Sequence, residues 1–199
     1  MSRKLKAMAV STAAIFLMSM QNGLVQDAKV PDISALAGRQ IYALKKCGEC
    51  HDQGAKKYTP IKAAWDSTKL AAHVEALKLE NVLRQDTSER RKKRTFGDEI
   101  IAMVAYLENR QQADAAAKNF VTAGFAMTRE GCRTCHMING VGKETGPNLK
   151  NLGKQHDKKW LIDHFINPQA FVKDSVMPQF GHLPKEELEA MADYLLMLK

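Results

Sequence analysis

Long hydrophobic runs are scarce in this 199-residue chain, aromatic residues make up only 7% of it, and it has just four cysteines. The longest apolar run, residues 7–20, is fourteen residues without a charge. As a helix it reaches only about 21 Å, short of a bilayer core of roughly 30 Å. A multi-span membrane protein is therefore excluded. Arg3, Lys4 and Lys6 precede the run, so residues 1–25 read as a signal peptide or, if uncleaved, an N-terminal anchor. No Ala-x-Ala site lies between Met20 and Ile33 to decide between them. Because no cysteine precedes Cys47, lipidation of an N-terminal cysteine is excluded. Disorder does not fit a chain that is 45% hydrophobic. No alternating β pattern is apparent, so an all-α fold is expected.

Acidic charge is also in the minority, with 30 Lys+Arg against 22 Asp+Glu. Residues 27–110 hold 16 basic against 12 acidic groups, and residues 111–199 hold 11 against 10. Much of the excess is one run: Arg90, Arg91, Lys92, Lys93, Arg94. No aromatics interleave it and export removes the usual nucleic-acid partners, so nucleic-acid binding is not expected. A solvated basic loop is the plain reading. The functional one is a docking patch for an acidic partner or membrane surface.

All four cysteines fall into two matched motifs. Cys47-Gly48-Glu49-Cys50-His51 is repeated at an offset of 85 residues as Cys132-Arg133-Thr134-Cys135-His136. The surroundings repeat as well. A helical pattern with Leu36, Ile41, Tyr42 and Leu44 precedes the first motif, with Asp32 or Ser34 available as N-cap. A comparable stretch over residues 119–130 precedes the second. Leu70-Ala71-Ala72-His73 parallels Leu161-Ile162-Asp163-His164, and Lys93-Arg94-Thr95-Phe96-Gly97 parallels Met177-Pro178-Gln179-Phe180-Gly181. Each copy closes on an amphipathic helix containing Ala102-Met103 and Tyr106, or Ala190-Met191 and Tyr194. This pattern predicts two tandem helical domains, 33–110 and 119–199, joined by a linker over 111–118.

Cys-x-x-Cys-His is the attachment sequence of a c-type haem. Two thiols add to the porphyrin vinyl groups, and the adjacent His ligates iron from the proximal side. The expected cofactors are thus two covalently bound haem c groups, on Cys47 and Cys50 and on Cys132 and Cys135, with His51 and His136 as proximal ligands. A zinc ribbon would place its Cys pairs about 15–20 residues apart, whereas 81 residues separate these. A thioredoxin-type pair needs a βαβ setting that is missing, and a disulfide framework leaves both histidines unexplained.

With these motifs the chain resembles the class I c-type cytochromes, and its two-copy plan looks like a dihaem member. The likeness is fullest in residues 119–199, where the second motif is followed by Gly146-Pro147-Asn148-Leu149, Trp160, Val176-Met177-Pro178 and Tyr194. The resemblance implies Met177 as distal iron ligand and a hydrogen bond from the proximal imidazole to the Pro147 carbonyl. A core-filling methionine is the plain alternative for Met177. Met191, beside Tyr194, reads as core.

The first copy keeps Pro60, Trp65 and the closing helix but has no methionine between His51 and Met103. Met103 aligns with the core residue Met191. The distal position of haem 1 is left to His73, to Lys93 or its neighbour Lys92, or to water or an open site. Imidazole is a strong iron ligand, and a lysine amine binds iron once burial lowers its pKa.

Two functions follow from the resemblance. The first is an exported, periplasmic electron carrier exchanging single electrons with redox proteins that dock near Arg90 to Arg94. The second is a haem enzyme or redox-complex subunit in which a labile haem 1 acts on a small inorganic substrate and haem 2 relays electrons. No distal acid–base pair singles out a reaction, so an electron-transfer protein is favoured over a stand-alone enzyme.

Overall fold

A computed structural model describes residues 30–56, 61, 66–84 and 88–198 of the chain. Pro60, Trp65 and the segment 1–25 lie outside the described residues. The described part is mainly helical: α1 Ile33–Leu44, α2 Gly48–His51, α3 Ser67–Ala76, α4 Glu89–Glu108, α5 Arg110–Ala115, α6 Lys118–Arg129, α7 Lys158–Ile166 and α8 Lys185–Leu196. One element departs from the all-α expectation. Met137–Ile138 (β1) pairs antiparallel with Val141–Gly142 (β2) directly after the second motif. Asn139 and Gly140 make its turn, both at positive φ. Asn-Gly is the favoured pair for such a two-residue hairpin loop, so the signal was present in the sequence.

Side-chain caps start most of the long helices. Asp32 accepts from Ser34 N at 2.7 Å to open α1, and Ser88 accepts from Arg91 N to open α4. The helices α3 and α7 are built to one plan. Asp66 and Asp157 cap them by accepting from the backbone N of Lys69 and Trp160, each at 2.8 Å. The fourth residue of each, Leu70 or Leu161, and the eighth, Val74 or Phe165, are buried. The seventh is His73 in α3 and His164 in α7. Each cap satisfies one of the orphan N–H groups at a helix start.

The core is organised around α1, which lies between α4 and α6, while α6 in turn packs on α8. Both faces of α1 meet their neighbours through glycine. A Cβ on Gly38 would fall inside van der Waals contact of the Ala102 carbonyl on α4. A Cβ on Gly124 in α6 would clash with Leu36 Cβ and stand 2.8 Å from the Ile33 carbonyl oxygen. Ile33 and Leu36 are consequently buried among α6 and α8 residues such as Met127, Tyr194 and Leu195. Ala37 and Ile41 bury among Leu70, Ile100 and Met103. Full burial of each such Ile or Leu side chain contributes about 1.5–3 kcal/mol. The expected linker is largely helix α5, held to α1 by the Arg39 guanidinium donating to the carbonyls of Ala113 (3.0 Å) and Ala116 (2.9 Å).

One charged pair is buried in this core. Glu99 of α4 is 0% exposed and its carboxylate lies 2.8 Å from the Lys45 ammonium. The other carboxylate oxygen accepts from the backbone N of Val82 and of Leu83. Lys45 also donates to the Glu80 carbonyl. The pair therefore ties α1 and α4 to the segment that follows α3, and so fixes the helix that carries His73.

Candidate functional site

The first motif is a single helical turn. Cys47 N donates to Tyr42 O at 3.1 Å, and α2 continues to His51, whose backbone N donates to Cys47 O at 3.0 Å. Cys47, Cys50, His51 and His73 line one cavity together with Leu70 and Met103. The rings of His51 and His73 stand 5.9 Å apart, edge to face. His73 is held below the usual histidine range, first by burial and then by the nearby His51. Burial also pushes the Cys47 thiol up.

Next to His51, Asp52 belongs to a surface network. Tyr42 donates to Asp52 at 2.9 Å, and Arg110 pairs with Asp52 and lies over the Tyr42 ring. Tyr106, against the Tyr42 ring, donates to Asp114 at 2.9 Å. These bonds lock the far side of the first attachment turn to α4 and α5.

Of the three distal candidates for haem 1, the fold brings His73 to the cavity and leaves the lysines away from it. Lys92 and Lys93 sit exposed in the second turn of α4. Lys92 pairs with Glu89 at 2.7 Å. The sequence parallel between Lys93 and Met177 does not hold in space, because residues 93–97 are helical while 177–180 form no regular element. Met103, 3% exposed, and Met191, 1% exposed, are core residues.

The second motif forms a 3₁₀ turn, Cys132–Thr134, followed by the small hairpin. Here Nδ1 of His136 donates to the Pro147 carbonyl at 2.8 Å. That bond fixes the ring tautomer and leaves Nε2 with its lone pair available to a ligand. Gly146 permits the approach, since a Cβ there would stand 2.8 Å from His136 Cε1. Burial pushes the Cys132 thiol up to about 12. None of the four cysteines is in a disulfide. Among the described residues no group of three or more His, Cys, Asp or Glu is placed to hold a bare metal ion.

Met177 is half-buried against the core formed by α6, α7 and α8. Its backbone N donates to Ser175 Oγ and its carbonyl accepts from Gln169. Val176 beside it is 95% exposed, so the segment carrying the thioether runs at the surface. Close by, His156, Trp160 and His164 form a ring stack with centroid spacings of 3.5 and 4.7 Å, and Phe171 closes on His164 at 5.3 Å. Burial, then His156 and His136, lower the pKa of His164. Its Nδ1 is buried without a hydrogen-bond partner among the described residues. The sequence flagged this His only as the counterpart of His73.

The attachment turn of the second motif is strapped to the start of α1. Arg133 donates to Asp32 at 3.1 Å, pairs with it through a second nitrogen, and reaches Ser34. Tyr194 donates to the Pro31 carbonyl at 2.8 Å. Beside this strap lies a cleft of about 400 Å³ between α4 and the second motif, lined by Arg84, Arg91, Arg94, Arg133 and Lys143, with Asp98 and Glu130 as its acidic members. Part of the predicted basic run thus faces the second attachment turn.

Residues 140–196 match the family described as the mono-haem subunit of cytochrome c oxidase, FixO. A cytochrome c oxidase subunit 2 from Alkalihalophilus pseudofirmus is 29% identical over 80 residues, which cover 34% of this chain and 22% of that protein. The chain therefore spans about a fifth of that relative's length. No solved structure matches significantly. With the attachment motifs, these similarities indicate a cytochrome c-type protein. No helix among the described residues is long and apolar enough to cross a membrane.

Proposed function

We propose that this chain is an exported dihaem cytochrome c that carries single electrons between redox proteins. One observation carries the reading furthest: the 5.9 Å between the rings of His51 and His73. Two imidazoles clasping one metal at about 2 Å from each nitrogen place their ring centres roughly 6 Å apart. An iron held on both sides offers no position for a substrate. Electron transfer is then favoured over turnover.

The residues fit the group. Cys47 and Cys50 would hold the first haem, with His51 and His73 as axial ligands in an apolar cavity. Cys132 and Cys135 would hold the second, with His136 and Met177 as the axial pair. A haem at each turn supplies a one-electron iron couple. His136 is oriented through Pro147, and His51 and His73 through α2 and the capped α3. A neutral thioether favours ferrous iron more than a second imidazole does, so the His136/Met177 site has the higher potential. The one-haem family match covers residues 140–196 alone, a span that begins after both Cys-x-x-Cys-His motifs, and the first of these lies within residues 33–110. Acidic redox partners would dock over the basic cleft, next to the second attachment turn.

Haem quantification against protein mass tests the count and should give two per chain. Equilibrium titration of the purified protein should resolve two unequal potentials, and His73→Ala should alter only the lower one. Carbon monoxide should leave the wild-type ferrous spectrum unchanged. Uptake of one carbon monoxide per chain would overturn the closed first site and favour a haem enzyme instead. Partner association should weaken with salt, as exposed charges are screened beyond about 10 Å at 0.1 M.

A further inference from the structure

His164 sits at the same place in α7 that His73 occupies in α3: seventh residue, three after a buried leucine, in a helix opened by an aspartate cap. In the first half of the chain that position brings an imidazole 5.9 Å from the motif histidine. The second half has the same imidazole and, in addition, Met177. Nothing in the described protein uses the spare one fully, because Nδ1 of His164 is buried with no hydrogen-bond partner. A buried imidazole nitrogen left unpaired costs free energy on the order of 1–3 kcal/mol. Its retention beside a motif histidine asks for a ligand. The ring is held for one by Trp160 at 4.7 Å and Phe171 at 5.3 Å. Met177, by contrast, is carried not on a helix but on an irregular segment, next to the 95% exposed Val176.

We propose that His164 is a reserve axial ligand of the second iron, able to take the sixth position when the Met177 thioether leaves it. The inference rests on the proposed haem at Cys132 and Cys135. The exchange is a ligand substitution: one iron–sulfur bond breaks, one iron–nitrogen bond forms from the lone pair of the neutral imidazole, and no electron is gained or lost. The second site would thereby pass from the thioether pairing to the two-imidazole pairing of the first, with a fall in potential. The two halves of the chain would then differ by an added ligand rather than a replaced one. His156 is a less suitable donor, since it stacks on the Trp160 ring at 3.5 Å.

The test uses the full-length protein with both haems attached and the volume-conserving Met177→Leu variant. Ferric electron paramagnetic resonance should show every haem still low-spin, with the second haem's signal moved to the two-imidazole class. Its potential should fall, and the ferrous form should bind no carbon monoxide. Adding His164→Ala to Met177→Leu should turn half of the haem iron high-spin and open it to carbon monoxide; adding His156→Ala should not. His164→Ala alone should keep both haems low-spin. High-spin iron in Met177→Leu itself would overturn the proposal, as would loss of the low-spin state in His164→Ala alone. Far-ultraviolet circular dichroism checks that each variant is folded, and Met177→Ala, read in the same way, gives a second measure of the site. Haem counting separates the two levels: a protein with no haem on Cys132 and Cys135 defeats the functional reading, whereas two haems with a high-spin Met177→Leu defeat this inference alone.

Discussion

Gly124→Ala tests whether α1 joins the two halves of the chain into one body. Alanine is the better helix former by about 1 kcal/mol, so in an open helix the substitution stabilises. At position 124 the new Cβ would meet Leu36 Cβ, the Ile33 carbonyl oxygen at 2.8 Å and the Ala37 backbone nitrogen at 3.1 Å. All three belong to α1, and two are backbone, so no rotamer change relieves them. Overpacking of this kind costs about 1–3 kcal/mol, and contact with fixed atoms puts this case at the upper end. The net expectation is a loss of about 2 kcal/mol. Gly97 in α4 is the control, because a Cβ there has nothing within 4 Å; Gly97→Ala should gain about 1 kcal/mol. With a urea slope of about 2 kcal/mol/M, the midpoint should fall by about 1 M in Gly124→Ala and rise by about 0.5 M in Gly97→Ala. Urea unfolding of the haem-loaded protein, followed by far-ultraviolet circular dichroism, reads both. A Gly124→Ala midpoint at or above wild type would refute the close α1–α6 crossing.

Three further outcomes are expected. Glu99→Ala strands the Lys45 ammonium in the core and should cost about 3–5 kcal/mol. Because the same carboxylate holds Val82 and Leu83, it should also loosen α3 enough for the haem proposed at Cys47 and Cys50 to bind carbon monoxide, read optically. Gly146→Ala should tilt the His136 ring, 2.8 Å from the added carbon, and weaken its bond to the iron proposed there. Redox titration would show this as a shift confined to the higher potential. Burial alone would raise the Asp32 carboxyl, but Arg133 and Ser34 hold it below its ordinary value of 3.8. A carboxyl lowered in the folded state stabilises fully above its unfolded pKa of about 3.9 and loses that contribution as pH falls through the lower value. Arg133→Gln should therefore flatten the acid limb of the stability profile below about pH 4, measured by thermal melts across pH.

The helical turn at the first motif and the capped helices were legible because each is a local pattern. Asp32, Asp66 and Asp157 each stand just ahead of a helix in the sequence and cap it in the structure. The hairpin was missed although Asn139-Gly140 announced it, since strands of two residues carry no alternation to detect. The parallel of Lys93 with Met177 failed for a physical reason: α4 has 20 residues and α8 has 12, so the basic run that aligns with a loop is itself helix. Glu99 could not be recognised as buried. A glutamate among apolar residues in a helix reads as a solvated face until Lys45, Val82 and Leu83, distant in sequence, are brought to it. His73 and His164 were paired correctly in the sequence, but only the fold shows one beside His51 and the other with a buried, unpaired nitrogen.

The double burial of α1 imposes an order of events on the chain. Residues 33–44 and the first motif emerge early from synthesis, whereas α6, which covers the Ile33 and Leu36 face, begins only at Lys118. During that interval one flank of α1 is bare and the first Cys pair is accessible. The arrival of α6 closes that flank and draws Asp32 onto Arg133. Maturation would thus run in one direction along the chain, and a protein cut between its two motifs would leave each fragment with an exposed apolar face.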